Sequence, residues 1–377
     1  MTPIEITARL ASEVLEPMKR AFIGKDEIID LLGICLVGGE NLFILGPPGT
    51  AKSALVNQLA ARMEGRTFDY LLTRFTEPNE LFGPFDIRKL RDGELQTNTE
   101  GMLPEASLVF LDELLNANSA ILNSLLVSLN ERVFRRGRET RPLAALMFVG
   151  ASNHLPEDDA LHALFDRFLL RVHCENVPGE RLADVLTAGW KLASRPTAKS
   201  GLHFDDLRAA QSALAGVELD AIRQPFAELV HRVRHAGIPV SDRRAVKLQR
   251  VIAASALLSG RQEARLSDLW VVRHIWDTEE QQEVLASLVD QLISKAQAAP
   301  GDHARALSSD GPDAESLARD LEAITGSLKN GNLPEVEKAY LRDRLGILEG
   351  RCQWVKDAAK REWLVKQIGE MWPLLKT

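Results

Sequence analysis

The feature that most restricts the fold is a series of short apolar runs between Asn41 and Cys174, interleaved with stretches of helical period. The runs are "NLFILG" (41–46), "TFDYLLT" (67–73), "SLVFLD" (107–112), "ALMFVGAS" (145–152) and "FLLRVH" (168–173). All are too short for ordinary helices and mostly apolar, as strands covered on both faces should be. Between the third and fourth lies "NANSAILNSLLVSLNERVF", where Ile121, Leu122, Leu125, Leu126 and Leu129 form one helical stripe. Strand and helix in turn imply an α/β core: a mostly parallel sheet between two helical layers. After Asn176 the strand runs stop. Residues 180–215 and 220–275 read as helices parted by turn signals such as "HAGIPVSD", and 276–296 continues helical. The stretch 296–316, rich in Ala, Ser, Asp, Gly and Pro, reads as a flexible connector. Helical patterns return from Leu317 to Leu375 with Trp354, Trp363 and Trp372, which suit either a small helical core or base stacking.

"GPPGTAKS" (46–53) follows a strand and precedes a helix, the setting of a phosphate-binding loop. The loop comprises Gly46, Pro47, Pro48, Gly49, Thr50, Ala51, Lys52, Ser53 and the first helical residue Ala54. Gly49 can take the positive φ that turns successive amide N–H groups toward one point. Lys52 would place an ammonium on β/γ oxygens, and the Ser53 hydroxyl suits Mg²⁺. Ala51 replaces the usual third glycine. A negative φ is expected there, at the helix entrance, so that its methyl leaves the cradle open. The plain alternative is a Pro/Gly turn ahead of a surface helix.

"LVFLDE" ends an apolar run with Asp112 and Glu113, and paired carboxylates there are costly unless they meet cations or water. Beside a phosphate loop, Asp112 would hold Mg²⁺ through its water ligands and Glu113 would orient and deprotonate a water. Alone, such a pair also suits a helix N-terminus. Asn153, after the next strand, is either a turn residue or an amide within reach of a phosphate or water. Arg167 ends the helix-like "LPEDDALHALFDRF", a position that also satisfies the helix dipole. In "VSDRRAVKL", Ser241 is a good N-cap, yet Arg243 and Arg244 fall in the first turn, where a cation costs roughly 0.3–1 kcal/mol. An arginine set against the dipole is a candidate anion reader. The run "RRGRETR" (135–141) is a solvated hairpin or a contact loop.

Together these residues resemble the AAA+ ATPases, and within them the MoxR family, from about Phe22 to Trp276. "FIGKDEII" is similar to the adenine-side segment, with Ile23 and Gly24, and "GPPGTAKS" to the family's Walker A, which commonly carries Ala in this place. "TRFTEPNELFGPFDI", "LPEASLVFLDELLNANSAILNSLLVSLNERVF", "GASNHLPEDDALHALFDRFLLRV" and "VSDRRAVKLQRVIAASALLSGR" resemble the RavA branch most closely. The resemblance implies that Lys52 and Ser53 are Walker A, that Asp112 and Glu113 are Walker B, and that Asn153 is sensor 1. It further implies that Arg167 is an arginine finger and Arg243 sensor 2. Residues 85–103 would be the helix-2 insert and 135–141 the pre-sensor-1 hairpin, both facing a central pore. The implied domains are an α/β nucleotide-binding core (1–190), an all-α lid (191–275) and a C-terminal helical domain (276–377, with the linker 296–316). The implied function is ATP hydrolysis to ADP with Mg²⁺ in a homo-oligomeric ring, a hexamer, that remodels protein clients with a von Willebrand A domain partner. RavA proteins interrupt a triple-helical domain with a β-rich insert that binds a decarboxylase. No strand pattern follows the linker here, so that contact is not carried over.

Composition narrows the rest. No apolar run approaches the ~18 residues that cross a bilayer. "MTPIEITARLASEVLE" carries acids where a signal peptide has an apolar block. Cys35, Cys174 and Cys352 have no CxxC spacing, which points to neither zinc nor disulfides and to a reducing cytoplasm. A net charge of −7 argues against a protein that coats nucleic acid. A nucleic-acid motor or loader, and an ATP-dependent scaffold with slow turnover, are the competing functions on this fold.

Overall fold

The structure is a computed structural model. It describes residues 1–91, 96–136, 139–194, 197–294 and 299–307, and in the tail 317–318, 321–322, 324–326, 335–352, 355 and 358–376. Its centre is a five-stranded parallel sheet in the order β2-β3-β6-β1-β7. The strands are β1 (Leu42–Leu45), β2 (Thr67–Leu71), β3 (Leu108–Asp112), β6 (Met147–Ser152) and β7 (Leu170–His173). β4 (Val133–Arg136) and β5 (Glu139–Pro142) form a separate hairpin. Register aligns Leu45 with Ser152, Leu111 with Gly150 and Leu71 with Asp112, so the carboxyl ends of the strands share one edge.

β1 and β6 are buried throughout, and β3 all but its last residue. β2 departs from the expected two-sided burial. It is an edge strand that alternates, with Phe68 buried and Leu71 57% exposed. The period-2 pattern Phe-Asp-Tyr-Leu marks an edge strand with one wet face. β7 is the other edge, yet it is covered from the side by the lid, so Arg171 is wholly buried and His173 stacks on Trp276 at 4.9 Å.

The helix Ser119–Glu131 starts where the Asn118 side chain accepts from the amides of Ala120 and Ile121, and it buries Ile121, Leu125 and Leu129 in the main apolar core. The hairpin beside it is tied to the excursion at 83–98. Arg136 stacks over Phe85 at 3.8 Å and donates to the Gly83 carbonyl, and the Thr97 amide donates to Glu139. The chain start, residues 3–21, is a run of helix with one π turn, opened by a Thr2/Glu5 capping box and fastened to the lid by Thr7 Oγ1 on the Leu257 carbonyl at 3.0 Å.

Beyond residue 200 the chain continues in helices: Phe204–Ala213, Asp220–His235, Asp242–Leu258, the 3-10 segment Leu266–His274, and Glu279–Ile293. Core and lid share one apolar cluster that runs from Ile6 to Ala306. Position 190 lies within the helix Leu182–Ser194. Position 275 lies between the Leu266–His274 segment and the Glu279–Ile293 helix, whose Leu285 and Val289 join the cluster with Trp270. A second, small core in the tail is built on Leu317, Leu321, Leu345, Leu348, Leu364 and Ile368. Trp372 packs on it while Trp363 stays half exposed; Trp354 lies outside the described residues.

Part of the expected connector is docked rather than free. His303 stacks on Trp270 at 4.8 Å, Asp302 accepts from Ser267 and from the Ala299 amide, and Arg305 reaches Asp26 (3.1 Å) and Asp30 (3.0 Å). Composition misled here because a few polar side chains, each with a partner far away in sequence, order the segment 299–307. The rest of the expected connector, 296–298 and 308–316, lies outside the described residues.

Candidate functional site

The loop 46–53 leaves β1 at the carboxyl edge of the sheet. Gly46 donates to the Ser152 carbonyl at 3.1 Å, and a Cβ on it would sit 2.2 Å from the Cys174 carbonyl oxygen, so only glycine fits. Gly49 has φ +83 with open space around it. Thr50 closes the turn through its hydroxyl on the Pro47 carbonyl at 2.9 Å. Ala51 corrects the sequence expectation: its φ is +74, in the left-handed region, where a non-glycine residue costs about 1–2 kcal/mol. It sits there because it is the residue at which the chain reverses into the Lys52–Arg62 helix, so the strain is local to the cradle.

Lys52 is 6% exposed, and its ammonium donates to the carbonyls of Gly46 (2.5 Å) and Pro47 (3.1 Å). Among the described residues no carboxylate pairs with it. A buried cation held only by neutral dipoles is poised for an anionic ligand. Beside it, Ser53 Oγ donates to Asp112 Oδ2 at 2.7 Å, and Asp112 Oδ1 accepts from the Glu113 amide at 3.0 Å. This hydroxyl and carboxylate are hard oxygen donors of the kind that Mg²⁺ takes in ones and twos while keeping waters and phosphates as its other ligands. The pair fits that ion, and Ser53 and Asp112 are the residues that would hold it. Glu113 is also left-handed, with φ +50, and its side chain is partly exposed with no hydrogen bond among the described residues. Asn153 follows β6, between β1 and β3, with its side chain exposed at the same edge. The structure therefore brings Lys52, Ser53, Asp112, Glu113 and Asn153 to one edge of three adjacent strands.

Ile23 and Gly24 lie in a turn against the segment after β7. Gly24 has φ +72, a Cβ there would meet Val177 at 2.6 Å, and Lys25 donates to the Glu175 carbonyl. Arg167 is not at the cradle edge. It sits in the turn between the helix Asp159–Phe165 and the start of β7, at the amino edge of the sheet. Pro156 lies just ahead of that short helix, whose N-cap is Asp158. The Arg167 carbonyl accepts from Asn41 Nδ2 at 3.0 Å, just before β1 begins. Its guanidinium reaches Asp166 at 2.9 Å, while its buried Nε has no partner among the described residues. The other side of Asn41 is committed as well, with Oδ1 accepting from the Phe148 amide (3.2 Å) and from Arg132 (2.8 Å). Arg132 also stacks on Phe148, and burial lowers its guanidinium to about 10.

The two lid arginines divide. Ser241 caps the helix, accepting from the Arg244 amide at 3.2 Å. Arg243 is exposed with no side-chain partner among the described residues. Arg244 is buried, donating to the Ile275 carbonyl at 2.6 Å and lying 3.4 Å from Asp277. Arg171 of β7 reaches the same carboxylate at 2.7 Å and donates to the Trp276 carbonyl at 2.8 Å. Burial, then repulsion from Arg244, pushes the Arg171 guanidinium down to about 9 against the pull of Asp277. The sequence reading missed this two-arginine clasp. Its one signal was an arginine inside an otherwise apolar strand run. Of the 135–141 arginines, Arg135 pairs with Glu131 (2.7 Å) and Arg141 with Glu139 (2.6 Å); Gly137 and Arg138 lie outside the described residues.

A parallel sheet with a glycine-turned loop at the carboxyl end of β1, a lysine and serine entering a helix, and paired acids at the end of β3, across the intervening β6, define an AAA+ type ATPase core. The profile of the MoxR domain found in MoxR–vWA–β-propeller ternary systems matches residues 8–212, and that of an AAA lid domain matches 219–289. The chain belongs to the MoxR family of AAA+ ATPases. It is similar to two uncharacterized proteins of Methanocaldococcus jannaschii, each 34% identical. One match spans 285 residues, 75% of this chain and 74% of that protein; the other spans 268 residues, 71% of each. It is 27% identical to the chaperone MoxR1 of Mycobacterium tuberculosis over 161 residues, 41% of this chain and 42% of MoxR1. A solved structure of a candidate ATPase from Cytophaga hutchinsonii superposes with a TM-score of 0.63 at 19% identity, covering 78% of this chain and 96% of its own, which shows a shared fold.

Proposed function

We propose that this chain hydrolyses ATP to ADP at the seam between neighbouring copies in a ring, a hexamer, and uses the cycle to remodel protein partners. The observation that carries the reading is the Lys52 ammonium, buried on two carbonyls with no paired carboxylate among the described residues, beside the Ser53–Asp112 pair. In this reading Lys52 and the loop amides bind the phosphates. Ser53 and Asp112 hold Mg²⁺, which neutralises phosphate charge when bound. Glu113 takes the proton of the attacking water, Asn153 orients that water, Ile23 and Gly24 flank the adenine, and Arg243 reads the phosphates from the lid. Arg167 lies at the opposite edge of the sheet from its own cradle, about 13 Å along a four-residue strand. That placement supports a finger for the next copy's ATP, where an arginine raises turnover by roughly 10³–10⁵-fold.

The description of the matched MoxR domain, from ternary systems with von Willebrand A and β-propeller proteins, supports a von Willebrand A partner. The quoted RavA-like motifs support protein remodelling as the output. No helix among the described residues is long and apolar enough to cross a membrane, and Cys35, Cys174 and Cys352 are buried. We place the protein in the cytoplasm and divide it into nucleotide core, lid and C-terminal helical domain. A nucleic-acid track along the 135–141 hairpin gains no support, since Arg135 and Arg141 already face carboxylates.

The test is the mass of a Glu113→Gln variant by light scattering with and without ATP and Mg²⁺, paired with steady-state turnover of Arg167→Ala. Assembly on ATP and a fall in turnover of at least 100-fold with binding intact are expected. Unchanged turnover in Arg167→Ala rules out the finger, and a monomer at saturating ATP rules out the ring.

A further inference from the structure

The helix Leu182–Ser194 leaves its apolar side in water. Leu182, Leu186 and Trp190, spaced four residues apart, are 52%, 66% and 79% exposed. At 100° per residue, Ala183, Thr187, Gly189 and Ala193 fall on the same side, so about 160° of the helix surface carries no charge. Its two charged residues, Asp184 and Lys191, lie on the opposite side. Val185, Ala188 and Leu192 are the half-buried positions, and the helix packs on the segment Glu16–Ala21. A solvated surface helix places its charges outward. This one faces water with a Leu-Leu-Trp row, which marks a protein contact.

The lid offers a matching groove of about 410 Å³ between the helices Asp220–His235 and Asp242–Leu258. Its floor is Phe226 and Val230, and its lip is Val246, 63% exposed. From Arg223 to Arg234 the wall is about 16 Å long, and the row from Leu182 to Trp190 is about 12 Å. The charges at the groove ends are already neutralised within the lid, Arg234 by Asp242 at 2.6 Å and Arg223 by Asp220 at 2.7 Å. An uncharged helix face can therefore enter without stranding a charge, whereas a charged peptide would gain nothing there.

We infer that the Leu182–Trp190 face of one copy docks in the lid groove of the next, as an amphipathic helix lies in an apolar groove. Every copy carries both halves on separate surfaces, so the contact is head to tail and propagates round a ring. This rests on the ring reading above and adds which surfaces meet.

The experiment uses the full chain in the Glu113→Gln background with ATP and Mg²⁺. The native cysteines are buried, so introduced thiols report alone. Leu186→Cys and Val246→Cys proteins, mixed and treated with a short bismaleimide, are expected to give cross-linked dimers that neither gives by itself. Lys191→Cys, on the opposite face, gives none. Trp190→Glu is expected to raise the concentration for half-assembly about 30-fold. Both results are required. If the parent assembles yet the mixture stays uncrosslinked, or Trp190→Glu assembles normally, the pairing is wrong and the ring stands without it. A Leu186→Cys protein that links to itself shows a two-fold contact and also overturns it. A parent that never assembles sinks the ring reading itself.

Discussion

Replacing Ala51 by glycine reverses the usual sign of an alanine-to-glycine change. Inside a helix that change destabilises by about 0.5–1 kcal/mol, because glycine loses more backbone freedom on folding. Ala51, however, holds φ +74, and relief of the left-handed strain returns about 1–2 kcal/mol. The internal reference is Ala60 of the same Lys52–Arg62 helix, likewise half buried against the main core. Loss of the methyl contact is then common to both, about 0.4 kcal/mol for half a buried methyl. Set together, these effects leave Ala51→Gly neutral to stabilising by about 0.5 kcal/mol, and Ala60→Gly destabilising by about 1 kcal/mol. The assay is urea unfolding followed by circular dichroism, reading the ratio of midpoints with the slopes held common. A loss of about 1 kcal/mol in Ala51→Gly, equal to that of Ala60→Gly, refutes the left-handed loop and restores an ordinary helical entrance.

Gly46→Ala drives a methyl to 2.2 Å from a backbone carbonyl, so a loss of about 3 kcal/mol and of nucleotide affinity is expected, read by thermal melting with and without ATP. Glu27 provides an acid-range test. Burial raises its carboxyl, but the charge of His274 at 3.5 Å, with Arg305 and Arg273, outweighs that and lowers it from 4.5 to about 2. Its contribution is full above pH 4.5 and disappears as pH falls toward 2, so the melting gap between the parent and Glu27→Gln should close over that window. A gap independent of pH there contradicts the pairing. Arg305→Ala removes contacts to Asp26 and Asp30 while Lys19 still holds Asp30 at 2.7 Å; a cost of about 2 kcal/mol and faster amide exchange across 299–307 are expected. Unaltered exchange there means that the other contacts, among them His303 on Trp270 and Arg273 on the Arg305 carbonyl, hold the segment without the Arg305 ion pairs.

The phosphate loop, the acids after β3 and the buried strands were legible because local physics fixes them. A strand buried on both faces must be apolar, and a loop that turns amides inward needs glycine and lysine at set places. What escaped was long-range or conformational. The sign of φ at Ala51 depends on how β1 delivers the loop to its helix, which no residue type announces. Arg171 is a charge inside an apolar strand run, and its counter-ion, Asp277, lies about a hundred residues further along the chain. The segment 299–307 reads as linker by composition, yet Arg305 finds Asp26 and Asp30 more than 250 residues earlier. The edge character of β2, by contrast, was present in its alternation and was masked by averaging over an apolar run.

Asn41 gives β1 a role larger than its four residues. One amide side chain fixes the Arg167 turn, the β6 backbone and Arg132, and five residues later the chain leaves β1 at Gly46. The cradle and the Arg167 turn are thus the two tips of a single stiff rod. If the loop holds a triphosphate as proposed, a displacement of the loop would reach the backbone of the Arg167 turn through this strand and Asn41. In the proposed ring, the loop of one copy and the Arg167 turn it offers to the next would be joined by this one short strand.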